Sequence, residues 1–196
     1  MIIAYLHGFQ TSSKARKATI LAKETEKLSP DTPVLSLDFP DDIKLAYFSL
    51  CQFVENVEDR GQEVCLVGSS LGGFLALLLS IKYNVKAALV NPCLTPYDFC
   101  RENNLIKVPL KNFDTGNEFM VTDDVVTFLK EKEKTLIHYR KDKTIVFLQK
   151  GDEVLDYNIA LNFFKDLNVS VEDGGSHTYE NFESKVPVIL DFFKKS

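Results

Sequence analysis

A serine with glycine two residues to either side, Gly68-Ser69-Ser70-Leu71-Gly72, lies between one apolar run ending near Val67 and another opening at Leu71. A hydroxyl becomes a useful nucleophile when its oxygen stands clear of the backbone and faces a base, which a sharp strand-to-helix turn achieves. Glycines at those two positions remove Cβ atoms that would collide in such a turn. The helix beyond offers free backbone N–H groups and the positive end of its dipole to a developing oxyanion. Ser70 is therefore the candidate nucleophile. Ser69 is the rival hydroxyl, but only Ser70 has glycine at both −2 and +2. The stretch Gly68 to Gly73 has neither the G-x-G-x-x-G spacing of a dinucleotide turn nor the ending of a P-loop, which disfavours a phosphate cradle.

Such a serine needs a base, and the chain holds three histidines. His177, in Gly174-Gly175-Ser176-His177-Thr178, follows the last apolar run on a flexible turn from which an imidazole can reach the serine. His7 directly follows the first apolar run and reads as a residue steadying its loop. His138 sits in a polar stretch and reads as a surface residue. His177 is the candidate base. The acid that orients it is expected after the penultimate run, where Gly151-Asp152-Glu153-Val154-Leu155-Asp156 lies. Asp152 is the candidate, with Glu153 and Asp156 as rivals; Asp156 is also suited to begin the next helix. The order Ser70, Asp152, His177 is that of α/β-hydrolases and of no other triad order. In that fold a loop after an early strand gives the second oxyanion donor, so the backbone N–H groups of Phe9 and Leu71 are the expected oxyanion hole. The base must be neutral, and activity is expected to rise with pH as the imidazole gives up its proton.

The elements that must hold these residues follow from the apolar pattern. Short runs at Ile2–Leu6, Val34–Leu37, Val64–Val67, Ala87–Val90, Ile145–Leu148 and Val169–Val171 read as strands covered on both faces. Helical patterns separate them, which predicts about six parallel strands flanked by helices. Thr11-Ser12-Ser13 offers N-cap hydroxyls for a helix running to about Leu28. Ile43, Ala46, Tyr47, Leu50, Phe53, Val54 and Val57 recur at helical spacing, closed by Gly61. Leu71 to Tyr83 is apolar almost all round and should lie buried, and a last helix is expected over about 187–194. From about 94 to 135, roughly forty residues separate two strands where a dozen would suffice. This stretch carries a helix signal at Thr122-Asp123-Asp124 and is too apolar for disorder. It reads as a lid insertion over a pocket, the alternative being an extra layer of core.

Composition bounds the function classes. The 196 residues, 45% hydrophobic and 26% charged, suit one soluble domain over 1–196. A net charge of −5 argues against nucleic acid or anionic lipid as a partner. Cys51, Cys65, Cys93 and Cys100 form no C-x-x-C pair and read as apolar residues of a reducing compartment. The amino-terminal run lacks a signal peptide's features, and no apolar stretch approaches 18 residues, so a cytoplasmic location without a membrane span is expected.

Tyr5-Leu6-His7-Gly8-Phe9 with Ser12-Ser13, then Leu66-Val67-Gly68-Ser69-Ser70-Leu71-Gly72-Gly73, Val90-Asn91-Pro92, Thr115-Gly116, Gly151-Asp152-Glu153-Val154-Leu155-Asp156-Tyr157 and Gly174-Gly175-Ser176-His177 fall in one order over nearly the whole chain. In this the sequence resembles the YqiA-type esterases, small bacterial α/β-hydrolases. The resemblance implies a compact hydrolase that starts at the third strand of larger relatives and acts on acyl esters, including acyl-CoA thioesters. Carried over by position, Ser70 is the nucleophile, Asp152 the acid and His177 the base. Ser176 stands where these esterases often have Asn. The expected function is a serine esterase working through an acyl-enzyme on a small-molecule ester or thioester, with no metal or cofactor called for. The basic run Lys14, Arg16, Lys17 could meet the phosphates of a CoA. The rival from another class is a non-catalytic module of the same fold that binds an acyl ligand or a protein partner. A nucleotide-binding domain is a more distant third.

Overall fold

The computed structural model describes residues 1–167 and 169–195. In chain order its first half comprises β1 (Ile2–Leu6), α1 (Arg16–Leu28), β2 (Val34–Leu37), α2 (Ile43–Glu58), β3 (Val64–Ser69), α3 (Leu71–Tyr83) and β4 (Lys86–Val90). There follow α4 (Pro96–Glu102), the short strands β5 (Leu110–Lys111) and β6 (Glu118–Phe119), and α5 (Asp123–Glu133). The chain closes with β7 (Thr144–Gln149), α6 (Tyr157–Phe163), β8 (Ser170–Glu172) and α7 (Val186–Lys194). The main sheet runs β2-β1-β3-β4-β7-β8 and is parallel throughout.

Both faces of this sheet are covered, which is why its strands read as unbroken apolar runs. Alternate residues serve opposite layers. Ile3, Tyr5, Cys65, Val67, Ala88 and Phe147 pack with residues of α1 and α7. Ala4, Leu6, Leu66, Leu89, Val146 and Leu148 pack with α2 and α3. Helix α3 is buried from Leu71 through Ser80, the burial expected of a helix apolar on every side. Asp42 caps α2 by accepting the Leu45 N–H at 2.8 Å. Gly61 turns the chain beyond it at φ +69°, its N–H donating to Glu58 O at 2.8 Å.

The amino terminus of α1 departs from expectation. Its N-cap position is Ala15, with no side-chain cap. The hydroxyls of Ser12 and Ser13 instead donate to Asp114 Oδ2 and Asp38 Oδ2, each at 2.8 Å. They hold the loop after β1 to distant segments, a use that local spacing does not reveal.

The 94–135 stretch folds as α4, an antiparallel β5–β6 hairpin and α5, whose Thr122 accepts the Val125 N–H at 3.3 Å. It serves two ends at once. Val121, Val125, Phe128 and Leu129 join the same core as Phe74 and Leu75. Pro96, Phe99, Cys100, Asn103 and Leu105 line a cavity above the sheet. Among the described residues, no helix is long and apolar enough to cross a membrane.

Candidate active site

Five loops leave the carboxyl ends of β1, β3, β4, β7 and β8, the end at which open parallel sheets bind ligands. Ser70 follows β3 immediately. Its φ of 55° and ψ of −120° are a conformation that side chains rarely adopt, and it persists because the surroundings fix it. The Ser70 N–H donates to Val90 O at 3.2 Å, and its carbonyl accepts from Gly73, Phe74 and Cys93 at 2.9, 3.3 and 3.0 Å. The flanking glycines permit the close approach. A Cβ on Gly68 would stand 2.2 Å from Gly72 O, and one on Gly72 would stand 2.1 Å from Leu6 O. This packing lifts the Ser70 side chain into partial exposure. Ser69, the rival hydroxyl, is 4% exposed and lies beside the buried Tyr5 hydroxyl.

His177 and Asp152 meet. The His177 Nδ1–H donates to the Asp152 carboxylate, with Oδ2 at 2.9 Å and Oδ1 at 3.0 Å. The Asp152 side chain is 2% exposed and that of His177 19%, so the carboxylate is enclosed while the ring reaches the cavity. Asp152 Oδ1 also accepts the N–H groups of Val154 and Leu155 at 2.9 and 2.8 Å, which fixes its orientation. The two rival acids have other duties. Glu153 accepts the backbone N–H of His177 at 2.9 Å, and that bond holds its carboxyl below the ordinary range. Asp156 caps α6, its Oδ1 accepting from Asn158 N at 2.9 Å.

Ser70 and His177 line one cavity of about 1080 Å³, with Phe9 and Leu71 also on its wall. No hydrogen bond joins Ser70 to His177 among the described residues, a looseness common at such sites before substrate arrives. Neither the Phe9 N–H nor the Leu71 N–H donates to a protein acceptor among the described residues, leaving both available to a ligand. Gly8 brings the loop that carries Phe9 close to Ser70, since a Cβ at Gly8 would lie 3.5 Å from Ser70 Cβ. His7 is 4% exposed, stacked on Phe39 at 3.9 Å, and its Nδ1–H donates to Gly8 O at 2.9 Å. Burial pushes its imidazole below the ordinary value, so it holds the loop as a neutral ring. His138 is exposed in a 3-10 turn.

Lys14, Arg16 and Lys17 line the same cavity, and the Lys17 ammonium donates to Thr178 O at 2.9 Å. Burial lowers Lys17 to about 8, against the opposing pull of the Asp152 charge. The four cysteines are free and buried, and burial drives the Cys93 thiol up to about 12.

Sequence reading gave no role to a set of buried amides around the site, although Asn91 stands in one of the motifs that carry the resemblance. Asn112, in the β5–β6 hairpin, donates to Thr11 O at 2.9 Å and to Asp41 Oδ1 at 2.6 Å, while its Oδ1 accepts from Asp114 N and Thr115 N. With the Phe113 N–H donating to Gln10 O at 2.8 Å, this straps the hairpin to the loop that carries Phe9. Asn91 and Gln149 stand at the carboxyl ends of β4 and β7 and face the His177 loop. The available signal was a polar residue closing an otherwise apolar strand run.

Arranged in this way, a carboxylate, an imidazole, a hydroxyl on a strained turn and two free N–H groups can activate an oxygen nucleophile and bind an oxyanion. Solved structures of similar shape include Est1E from Butyrivibrio proteoclasticus, at TM-score 0.77 and 15% identity over 99% of this chain and 88% of that one. Alpha/beta hydrolase domain-containing protein 10 from mouse matches at TM-score 0.67 and 16% identity, over 97% and 88%. A monoacylglycerol lipase from Paleococcus ferrophilus matches at 0.69 and 12%, over 97% and 94%. At such identities the likeness is one of fold, and the fold is that of the α/β-hydrolases, as expected from sequence. In sequence, the chain is 24% identical to a UPF0227 protein of Shewanella woodyi over 98% of its length and 99% of that protein's. It is 28% identical to the UPF0227 protein YcfP of Salmonella arizonae over 79% of its length and 77% of that protein's. A family model described as Uncharacterised protein family (UPF0227) matches residues 1–194, and the chain belongs to that family, the YqiA- and YcfP-type proteins.

Proposed function

We propose that the protein is a serine hydrolase of carboxylic esters that works through an acyl-enzyme on Ser70. The observation that carries this reading is the enclosed Asp152–His177 bond, whose imidazole lines the same cavity as the strained Ser70. His177 takes the Ser70 proton as Oγ attacks the ester carbonyl, and Asp152 holds the ring and stabilises its positive form. The Phe9 and Leu71 N–H groups receive the oxyanion. As the tetrahedral centre collapses, the bond to the leaving oxygen breaks and His177 returns the proton to it. Water then attacks the acyl-serine by the same route, giving the acid and restoring the Ser70 hydroxyl.

The cavity walls support an acyl substrate. Ile43, Leu71, Phe99, Leu105 and Leu155 give the cavity apolar lining, suited to a hydrocarbon chain. Lys14 and Arg16 stand on the wall formed by the start of α1, which suits a polar or anionic leaving group, a thioester of CoA among them. The stretch 94–135 acts as a cover whose α4 closes the acyl flank. Est1E has been solved with ferulic acid bound, and other neighbours of this shape are lipases, which favours ester chemistry on this frame. The four free, buried thiols suit a reducing compartment such as the cytoplasm.

The test is hydrolysis of a p-nitrophenyl ester series from acetate to decanoate, beside the matching acyl thioesters. The wild type is expected to turn over at least part of the series, with Ser70→Ala and His177→Ala slower by roughly 10³-fold or more. Full activity in Ser70→Ala would end the reading.

A further inference from the structure

The loop that carries His177 is held by more than Asp152. Asn91, 2% exposed, donates from Nδ2 to the carbonyls of Ser176 and His177 at 3.0 and 3.3 Å. Its Oδ1 accepts the Gln149 backbone N–H at 3.0 Å, and its own N–H donates to Phe147 O at 2.9 Å. Asn91 adopts φ +40°, a left-handed conformation that asparagine tolerates better than most residues. Gln149, 3% exposed, grips the same loop from the next strand. Its Oε1 accepts the N–H groups of Ser176 and Glu180 at 3.1 and 2.8 Å. Its Nε2 donates to Glu180 O and Glu172 Oε2, each at 2.9 Å. The loop is shaped to receive it. Gly175 sits at φ +78°, and a Cβ there would stand 2.1 Å from Gln149 Oε1.

Both amides are thus fully satisfied, and three of their bonds end on the residue before the base or on the base's own backbone. A buried polar network of this kind fixes one arrangement, because every alternative strands a donor or acceptor away from water. The two amides also span the joint between β4 and β7, so the loop is referenced to the sheet that carries Ser70. We infer that Asn91 and Gln149 form an amide clamp whose role is to position the His177 imidazole against both Asp152 and Ser70. They are positioning residues, acting through the base. The inference rests on the serine-hydrolase reading above.

The test uses Asn91→Ala, Asn91→Asp and Gln149→Ala, with two readouts. The first is kinetic: kcat for p-nitrophenyl acetate is expected to fall about 100-fold in each variant, the order of loss an ångström of misplacement brings, with KM within about two-fold. The second is the downfield proton resonance of the His177 Nδ1–H held by Asp152, expected sharp in the wild type and broadened or lost in the variants. That resonance reports on the clamp whether or not esters are hydrolysed, so an inactive wild type with a responsive resonance would sink the hydrolase reading and leave the clamp standing. Asn91→Asp keeps the shape of the side chain and its acceptor for the Gln149 N–H, and replaces the donor to the two loop carbonyls by an oxygen that repels them. It therefore decides the matter if Asn91→Ala does not fold. Wild-type kcat together with an unchanged resonance in folded Asn91→Asp and Gln149→Ala would overturn the clamp.

Discussion

Replacing Asp152 and Asp156 separately by alanine tests whether the proposed catalytic carboxylate is Asp152 or the residue four positions on. The Asp152 side chain is 2% exposed and accepts three donors: the N–H groups of Val154 and Leu155 and the Nδ1–H of His177. Hydrogen bonds to a charged group contribute about 1.5–3 kcal/mol each, so Asp152→Ala should lower stability noticeably. The kinetic loss is the sharper signal. Without the carboxylate the imidazolium formed in the transition state lacks its partner, and the ring is free to present the wrong tautomer. A fall in kcat of about 10³–10⁴-fold is expected, or roughly 4–5 kcal/mol of transition-state stabilisation. Asp152→Asn, which keeps the shape and an acceptor for the two N–H groups, should be nearly as slow while remaining more stable. Asp156 is exposed and caps α6, its Oδ1 accepting from the backbone N and from Nδ2 of Asn158. Its loss should cost about 1 kcal/mol, or 2–4 °C in Tm, and leave kcat within two-fold. The assay is the initial rate on p-nitrophenyl acetate, well below the Tm of each variant. A crippled Asp156→Ala beside an active Asp152→Ala would refute the assignment.

Three further outcomes follow from the same geometry. Gly72→Ala places a Cβ 2.1 Å from Leu6 O and 2.5 Å from His7 O, and overpacking of that kind costs about 1–3 kcal/mol. A lower Tm by thermal denaturation, with kcat falling more than KM rises, is expected; an unchanged Tm would contradict the packing. Ser70→Gly relieves a residue at φ 55°, and it should be more stable than Ser70→Ala by about 1 kcal/mol although both are inactive. The reverse ranking would mean that the elbow is unstrained. Lys17 has its folded value lowered to about 8 by burial, so between about pH 8 and 10 the unfolded chain binds more protons and stability contributed at this site rises with pH. The Tm of wild type should therefore climb relative to that of Lys17→Met across this window, and parallel Tm curves would argue against the lowered value.

How much of this was legible depended on whether the determining contact was local. Strands β1 and β2 have the bounds their apolar runs predict, and α3 spans Leu71–Tyr83 as expected, because burial on every side writes itself into consecutive residues. Ser70, Asp152 and His177 each close or follow such a run, and chain order relates them. The partners of the amides could not be read this way. Asn91 and Gln149 are single polar residues at strand ends, and their partners arrive from residues 172–180 only once β8 is in place. The hydroxyls of Ser12 and Ser13 suit an N-cap by spacing, yet Asp114 and Asp38 claim them across the fold. The 94–135 stretch divides between lining the cavity and extending the core because residues of α4 face the cavity while α5 packs on α2.

The most direct test of the central claim is intact-mass labelling with a fluorophosphonate probe, run on wild type and on Ser70→Ala. A single adduct on the wild type and none on the variant is the expected result, since only a serine activated by its base reacts in this way. No adduct on folded wild type, or an adduct that survives Ser70→Ala, would contradict the assignment of Ser70 as the nucleophile.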